Sequence, residues 1–251
     1  MNRLQFTLEA FRRRAAARLW PPYGRARRAL REHLRRLLVQ QRIDVVFDVG
    51  ANRGQYYRFL RYEVGFQGVI ASFEPIAGLS ARLVQQARHD RRWLVASHAL
   101  GAVDRVADLN VMKASAFSSL LTPDITATDQ FAGRNVIDHV ERIDIRRLDG
   151  IYPELAQRFG FTRAYLKMDT QGHDLAVLEG ASGCLANVFA LQSELSFVSI
   201  YSGMPSWDES VGRIGAAGFA LTGLFPVSTA DDLRLIEADG VFVRRATDAP
   251  A

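Results

Sequence analysis

The sequence predicts an α/β fold: a mostly parallel, seven-stranded sheet with helices on both faces, preceded by N-terminal helices. Three observations carry that expectation. From Ile43 onward, short apolar runs alternate with stretches of helical periodicity, as in βαβ units whose strands are covered on both faces. The run Val45-Val46-Phe47-Asp48-Val49-Gly50 passes through a glycine-containing turn straight into a helical stretch. Glu74 closes a second apolar run twenty positions beyond Gly54. With 251 residues, 48% of them hydrophobic, the chain is long enough to bury one full core.

The elements divide into a basic helical extension over 1–42 and a single α/β domain over 43–251. Leu4, Leu8, Phe11, Ala15 and Leu19 recur at helical spacing, with Arg12, Arg13, Arg14 and Arg18 on the remaining surface. Trp20-Pro21-Pro22-Tyr23-Gly24 is expected to interrupt this helix, and Ala26, Leu30, Leu34, Leu37 and Leu38 mark the apolar side of a second. Strands are then expected near 44–49, 68–73, 93–99, 163–168, 188–194, 218–225 and 240–244. Helices are expected near 54–63, 76–88, 150–159, 172–186 and 206–217. An irregular region over 102–149 holds one extra strand, Ala107 to Met112, and a serine-rich loop.

Charge is unevenly spread. Residues 1–42 carry twelve arginines against Glu9 and Glu32, a local +10 in a chain whose net charge is +5, which leaves the domain mildly acidic. Two readings of the extension stay open: a cap whose arginines are solvated, or a contact with a membrane or other polyanion. The single cysteine, Cys184, excludes an internal disulfide and a cysteine-built metal centre, as in a reducing cytoplasm. No apolar run is long enough to cross a bilayer, and the N-terminus lacks the apolar core of a secretory signal. A cytoplasmic protein, peripheral to the inner membrane face on the second reading, is expected.

Gly50 and Gly54 let backbone approach a ligand closely, and a carboxylate at Glu74 is placed to accept hydrogen bonds from the two hydroxyls of an adenosine ribose. A dinucleotide is the first competitor. The turn is G-x-x-x-G rather than G-x-G-x-x-G, however, and Asp48 would set a carboxylate beside the path of a pyrophosphate. S-adenosylmethionine carries a sulfonium and an ammonium instead of phosphates, so the local charge favours it.

These segments resemble the FkbM family of methyltransferases over most of residues 44–200. Asp48-Val49-Gly50-Ala51-Asn52-Arg53-Gly54 matches the first motif, Phe73-Glu74-Pro75 the second and Ala99-Leu100-Gly101 the exit of the third strand. Ser118-Ser119-Leu120 and Arg147-Leu148-Asp149 match further segments. The most distinctive match runs from Leu166-Lys167-Met168-Asp169-Thr170-Gln171-Gly172-His173-Asp174 into Val177-Leu178-Glu179-Gly180-Ala181. The family usually has an aromatic residue at the position of His173 and glutamate at that of Asp174. The resemblance implies a Rossmann-like, class I methyltransferase fold over 43–251, S-adenosylmethionine as donor, and O-methylation of a sugar, glycolipid or secondary-metabolite hydroxyl. Cofactor contacts are expected at Asp48, Gly50, Ala51, Asn52, Gly54, Glu74, Pro75, Leu100, Ser118 and Ser119.

Methyl transfer asks the protein to position donor and acceptor and to take up the acceptor's proton. Lys167 and Asp169, two apart on a strand, share a face at the end where open α/β sheets hold ligands. Asp169 is the leading candidate for contact with the acceptor hydroxyl or the donor's methionine end, and Lys167 for orienting that carboxylate or, with its pKa lowered by burial, removing a proton. His173 is a second candidate base. Glu194, at the tip of the next strand, is expected beside Asp169. Mg²⁺ on these two carboxylates is an alternative, but two ligands do not define a site, and no metal ligand is assigned. Tyr201, Met204 and Trp207, with the 102–149 region, are expected to shape the acceptor pocket. RNA methylation is a competing reading, prompted by the basic extension. Its Lys-Asp-Lys-Glu arrangement lacks a second lysine, since Lys113 lies in another region, so nucleic acid is not expected as partner. A non-catalytic cofactor-binding module would not need Asp169, Lys167 and Glu194.

Overall fold

A computed structural model describes residues 21–246 apart from 125, 126, 128–130 and 132, so the helix expected over Leu4–Leu19 lies outside the described residues. Helix α1 spans Pro21–Gln40. The two prolines open this helix, because the first helical turn has no intrahelical acceptor for its amides and proline's fixed φ suits it. Leu30, Leu34, Leu37 and Leu38 are buried, in one cluster with Val46, Tyr165, Ala190 and Val241 of the sheet. The described part of the extension is thus a layer of the core.

The chain continues through β1 (Val45–Val49), α2 (Gln55–Arg58) with a π-helical turn (Phe59–Val64), β2 (Val69–Phe73), α3 (Ala77–Ala87) and β3 (Trp93–Ala96). Next come β4 (Ala99–Leu100), β5 (Arg105–Met112), β6 (Ile137–Arg146), α4 (Leu148–Phe159), β7 (Ala164–Met168) and α5 (Asp174–Gly180). β8 (Val188–Ser196), α6 (Trp207–Ala216), β9 (Phe219–Thr229) and β10 (Leu235–Arg244) complete it.

The main sheet has the order β3-β2-β1-β7-β8-β10-β9. Its strands are parallel except β10, which runs antiparallel to both β8 and β9. Alternate residues of β1 point to opposite faces. Val46 joins the cluster of α1 and the π-helical turn, whereas Val45, Phe47 and Val49 pack with Leu148, Leu155 and Leu175 of α4 and α5 and Ile214 of α6. Helices therefore cover both faces, as expected.

Three expectations are corrected. The third strand, expected over 93–99, ends at Ala96, and Ala99–Leu100 crosses into a separate sheet of order β4-β6-β5. That small sheet contains β6, which the sequence reading did not contain. The helix expected over 172–186 stops at Gly180, where a Cβ would lie 1.9 Å from the Gly101 carbonyl oxygen.

Candidate active site

Sheet order reverses between β1 and β7: the chain builds outward from β1 to β3, then returns to β7 on the other side. Open α/β sheets bind ligands at the carboxyl ends of the strands flanking such a point. Here those ends meet at Gly50 and Asp169. Gly50 has φ 79°, and a Cβ on it would fall 2.0 Å from the Asp169 carbonyl oxygen, so only glycine fits. Its amide and that of Ala51 donate to the Phe73 carbonyl at 3.1 and 3.0 Å, tying the turn to the end of β2.

Glu74 leaves β2 beside that turn and is 4% exposed. The Asn52 amide donates to its Oε2 at 2.7 Å and the Ile76 amide to its Oε1 at 2.9 Å. Burial pushes its pKa up to about 7, opposed by these two amide bonds. Each carboxylate oxygen keeps a free lone pair for a further donor.

Gly50, Asn52, Glu74, Pro75, Leu100, Ser118, Asp169 and His173 line one pocket. The structure thus brings eight of the sequence-predicted residues to one cavity. The other six lie behind its wall. Asp48 and Ala51 are buried under the turn. Gly54 sits at the start of α2 with φ 73°. Ser119 is buried and donates from Oγ to the Gln171 carbonyl at 2.7 Å. Lys167 touches the pocket wall from behind, through Asp169 and the Val49 and Gly50 carbonyls, and Glu194 through Gln171. Sequence reasoning missed Ile76, Leu109, Leu120 and Ile143, which supply apolar wall, and Gln55, Ser115, Thr170 and Gln171. Gln171 stood inside the most distinctive motif; Leu109 and Ile143 reach the pocket through the small sheet, which periodicity did not reveal.

Asp48 and Lys167 are register partners on β1 and β7. The Lys167 ammonium lies 3.3 Å from Asp48 and 3.2 Å from Asp169. Burial alone would depress the lysine pKa, but the Asp169 and Asp48 carboxylates outweigh it and hold the ammonium charged. That opposes the expectation of a lysine pKa lowered by burial; the arrangement orients Asp169 instead. Asp48 also accepts from Ser72 Oγ at 3.0 Å, and burial raises its pKa.

Burial, together with Arg105, lowers the His173 pKa, so this pocket-lining imidazole is neutral at pH 7. Asp174, where the family usually has glutamate, is buried and structural: it accepts from the Thr170 amide and hydroxyl and from the Ser193 hydroxyl and Glu194 amide. One end of the Gln171 carboxamide is 2.5 Å from Glu194 Oε2 and 3.4 Å from Asp169 Oδ1, and the other is 2.9 Å from the Tyr201 hydroxyl. Among the described residues no group of three or more His, Cys, Asp or Glu is arranged to hold a metal ion.

The Methyltransferase FkbM domain model matches residues 48–214. The chain belongs to the FkbM methyltransferase family. No curated protein matches the sequence. Among solved structures, this FkbM methyltransferase is similar to the FkbM methyltransferase of Methylobacillus flagellatus KT, at 13% identity over 80% of this chain and TM-score 0.47. The alignment covers 43% of that longer chain. It is also similar to the 1,6-didemethyltoxoflavin-N1-methyltransferase of Burkholderia thailandensis, at 11% identity over 97% of this chain and 91% of that one, with TM-score 0.47.

The cofactor of this methyltransferase is S-adenosylmethionine. The residues fit it: a buried carboxylate with open acceptor positions at Glu74, apolar walls at Ile76, Leu100, Leu109 and Ile143, and backbone at Gly50 with no side chain in the way.

Proposed function

We propose that this methyltransferase transfers a methyl group to a hydroxyl oxygen of a sugar, glycolipid or secondary metabolite. The observation carrying this reading is that one pocket is lined by a buried carboxylate, Glu74, by Asp169 in its ion pair with Lys167, and by a neutral His173. A hydroxyl must lose its proton as its oxygen gains a bond to carbon. A neutral imidazole can take that proton at physiological pH, which a charged lysine cannot.

In this reading Glu74 accepts from the ribose hydroxyls and the turn at Gly50 admits the methionine end. S-adenosylmethionine, when bound, supplies a methyl carbon already activated by its sulfonium. Asp169, fixed by Lys167, accepts from and orients the acceptor hydroxyl; His173 removes its proton. Holding both reactants in line supplies most of the acceleration.

The test is mass spectrometry of extracts from cells with and without the gene, followed by assay of the purified protein on the compound that loses a methyl-sized increment, ~14 Da on the methyl-transfer reading. Methyl ether formation, with His173→Ala lowering turnover about 10²–10⁴-fold at little cost in donor affinity, supports the proposal. Methyl transfer to nitrogen or carbon overturns it.

The extension supports a second element of the proposal, a peripheral location at the anionic cytoplasmic membrane face, where amphiphilic acceptors reside. Arg25 and Arg28 are exposed on α1 while its leucines face the core. On this reading the arginines make the contact, and the α1 stripe does not.

A further inference from the structure

The Tyr201 hydroxyl has one proton and two neighbours that call for it: the Phe117 carbonyl oxygen at 2.7 Å and the Gln171 carboxamide at 2.9 Å. A backbone carbonyl can only accept, so the phenol proton belongs to Phe117. The carboxamide must then present its NH₂ to the phenol oxygen, since a carbonyl there would set lone pair against lone pair. The two ends of a carboxamide are nearly isosteric and are assigned by their partners. With the NH₂ turned to Tyr201, the Gln171 carbonyl oxygen faces Glu194 Oε2 at 2.5 Å, and the longer, weaker contact with Asp169 Oδ1 at 3.4 Å is given up. Two oxygens at that separation share a proton, and 2.5 Å is short for an amide donor but usual for a carboxyl O–H. We propose that Gln171 is a positioning residue that holds Glu194 as a neutral carboxylic acid, donating to the Gln171 carbonyl, beside an ionised Asp169.

The surroundings agree. Glu194 is faced by Asp169 from the end of β7, Asp174 from α5, and Glu237 and Asp239 from β10; burial and these carboxylates all raise its pKa. The nearby ammonium, Lys167, is engaged by Asp48 and Asp169. Gln171 itself is held at φ 54°, an uncommon conformation for a residue other than glycine, with its backbone carbonyl bonded to Ser119. Its backbone and carboxamide are thus held from three segments of the chain, at Ser119, Glu194 and Tyr201.

This deepens the reading above, in which Asp169 is the anion that meets the acceptor: one of two adjacent carboxyls is charged, and the network decides which. The test needs no ligand. The infrared difference spectrum at pH 7 between ligand-free wild type and Glu194→Gln is expected to lose a protonated-carboxyl band, while loss of carboxylate bands overturns the inference. Tyr201→Phe frees the carboxamide to turn its NH₂ toward Glu194. The acid band is then expected to titrate away at lower pH than in wild type, and an unmoved midpoint counts against the inference. If the band is present but no hydroxyl is methylated, only the earlier reading fails. If methyl ethers form and the band is missing, only this one does.

Discussion

Glu74 accepts two backbone amides in a dry environment with a pKa near 7, so a fraction of it carries a proton at neutral pH. Ribose hydroxyls that donate to it favour its charged form. Donor binding should therefore release a proton, and affinity should fall by up to about tenfold per pH unit below 7. Calorimetry of S-adenosylhomocysteine in buffers of different ionisation enthalpy checks this; a pH-independent affinity between 5.5 and 8 would remove Glu74 from the ribose site. Gly50→Ala places a methyl group on the Asp169 carbonyl and is expected to abolish folding or donor binding, read by thermal unfolding with and without ligand. Gly50 and Glu74 were legible because strand, turn and carboxylate follow one another along the chain. Gln171 was not. Its partners Glu194, Tyr201 and Ser119 stand 23, 30 and 52 positions away, and no local pattern announces pairings of that kind.

Buried strands with uninterrupted apolar runs announced themselves, which is why β1, β2, β7 and β8 fall where they were expected. β6 did not, because Ile137, Val140 and Ile143 recur every third residue and most of the strand's first half is exposed. The π-helical turn was equally invisible. Gly65 and Phe66 both donate to the Leu60 carbonyl, a local widening that leaves the apolar pattern of the segment intact. The leucines of α1 were readable as a stripe, but not what they face. Since Leu34 is fully buried, Leu34→Ala is expected to cost about 2–5 kcal/mol in denaturant unfolding, and a wild-type midpoint would mean that α1 is an appendage. Arg25→Gln with Arg28→Gln should leave that midpoint unchanged while weakening co-sedimentation with anionic vesicles at low salt. Equal binding by both proteins would take these arginines out of the membrane contact.

Over the whole molecule the buried carboxyls set the pH of greatest stability. Glu74 and Glu237 are raised to about 7 and Asp239 to about 6, chiefly by burial. Between their ordinary values and these, the native state holds protons that the unfolded chain has released, so stability falls as pH rises through that window. Asp149, held low by Arg147, acts oppositely below the usual aspartate range, and the half-buried imidazoles His33, His98 and His173, lowered by burial, oppose part of the carboxyl effect below the usual histidine value. The urea midpoint is accordingly expected to be higher near pH 5 than at pH 7.5, and the reverse order would show that these groups ionise freely in the native protein. Sheet order has a consequence for biosynthesis. β10 follows β9 along the chain yet lies between β8 and β9 rather than at the margin. While the ribosome still holds residues 235–244, β8 has no neighbour on that side and β9 cannot join the sheet, so closure waits until β10 has emerged. A chain stopped before Leu235 would leave an open seam through the sheet where strands of other nascent chains could pair.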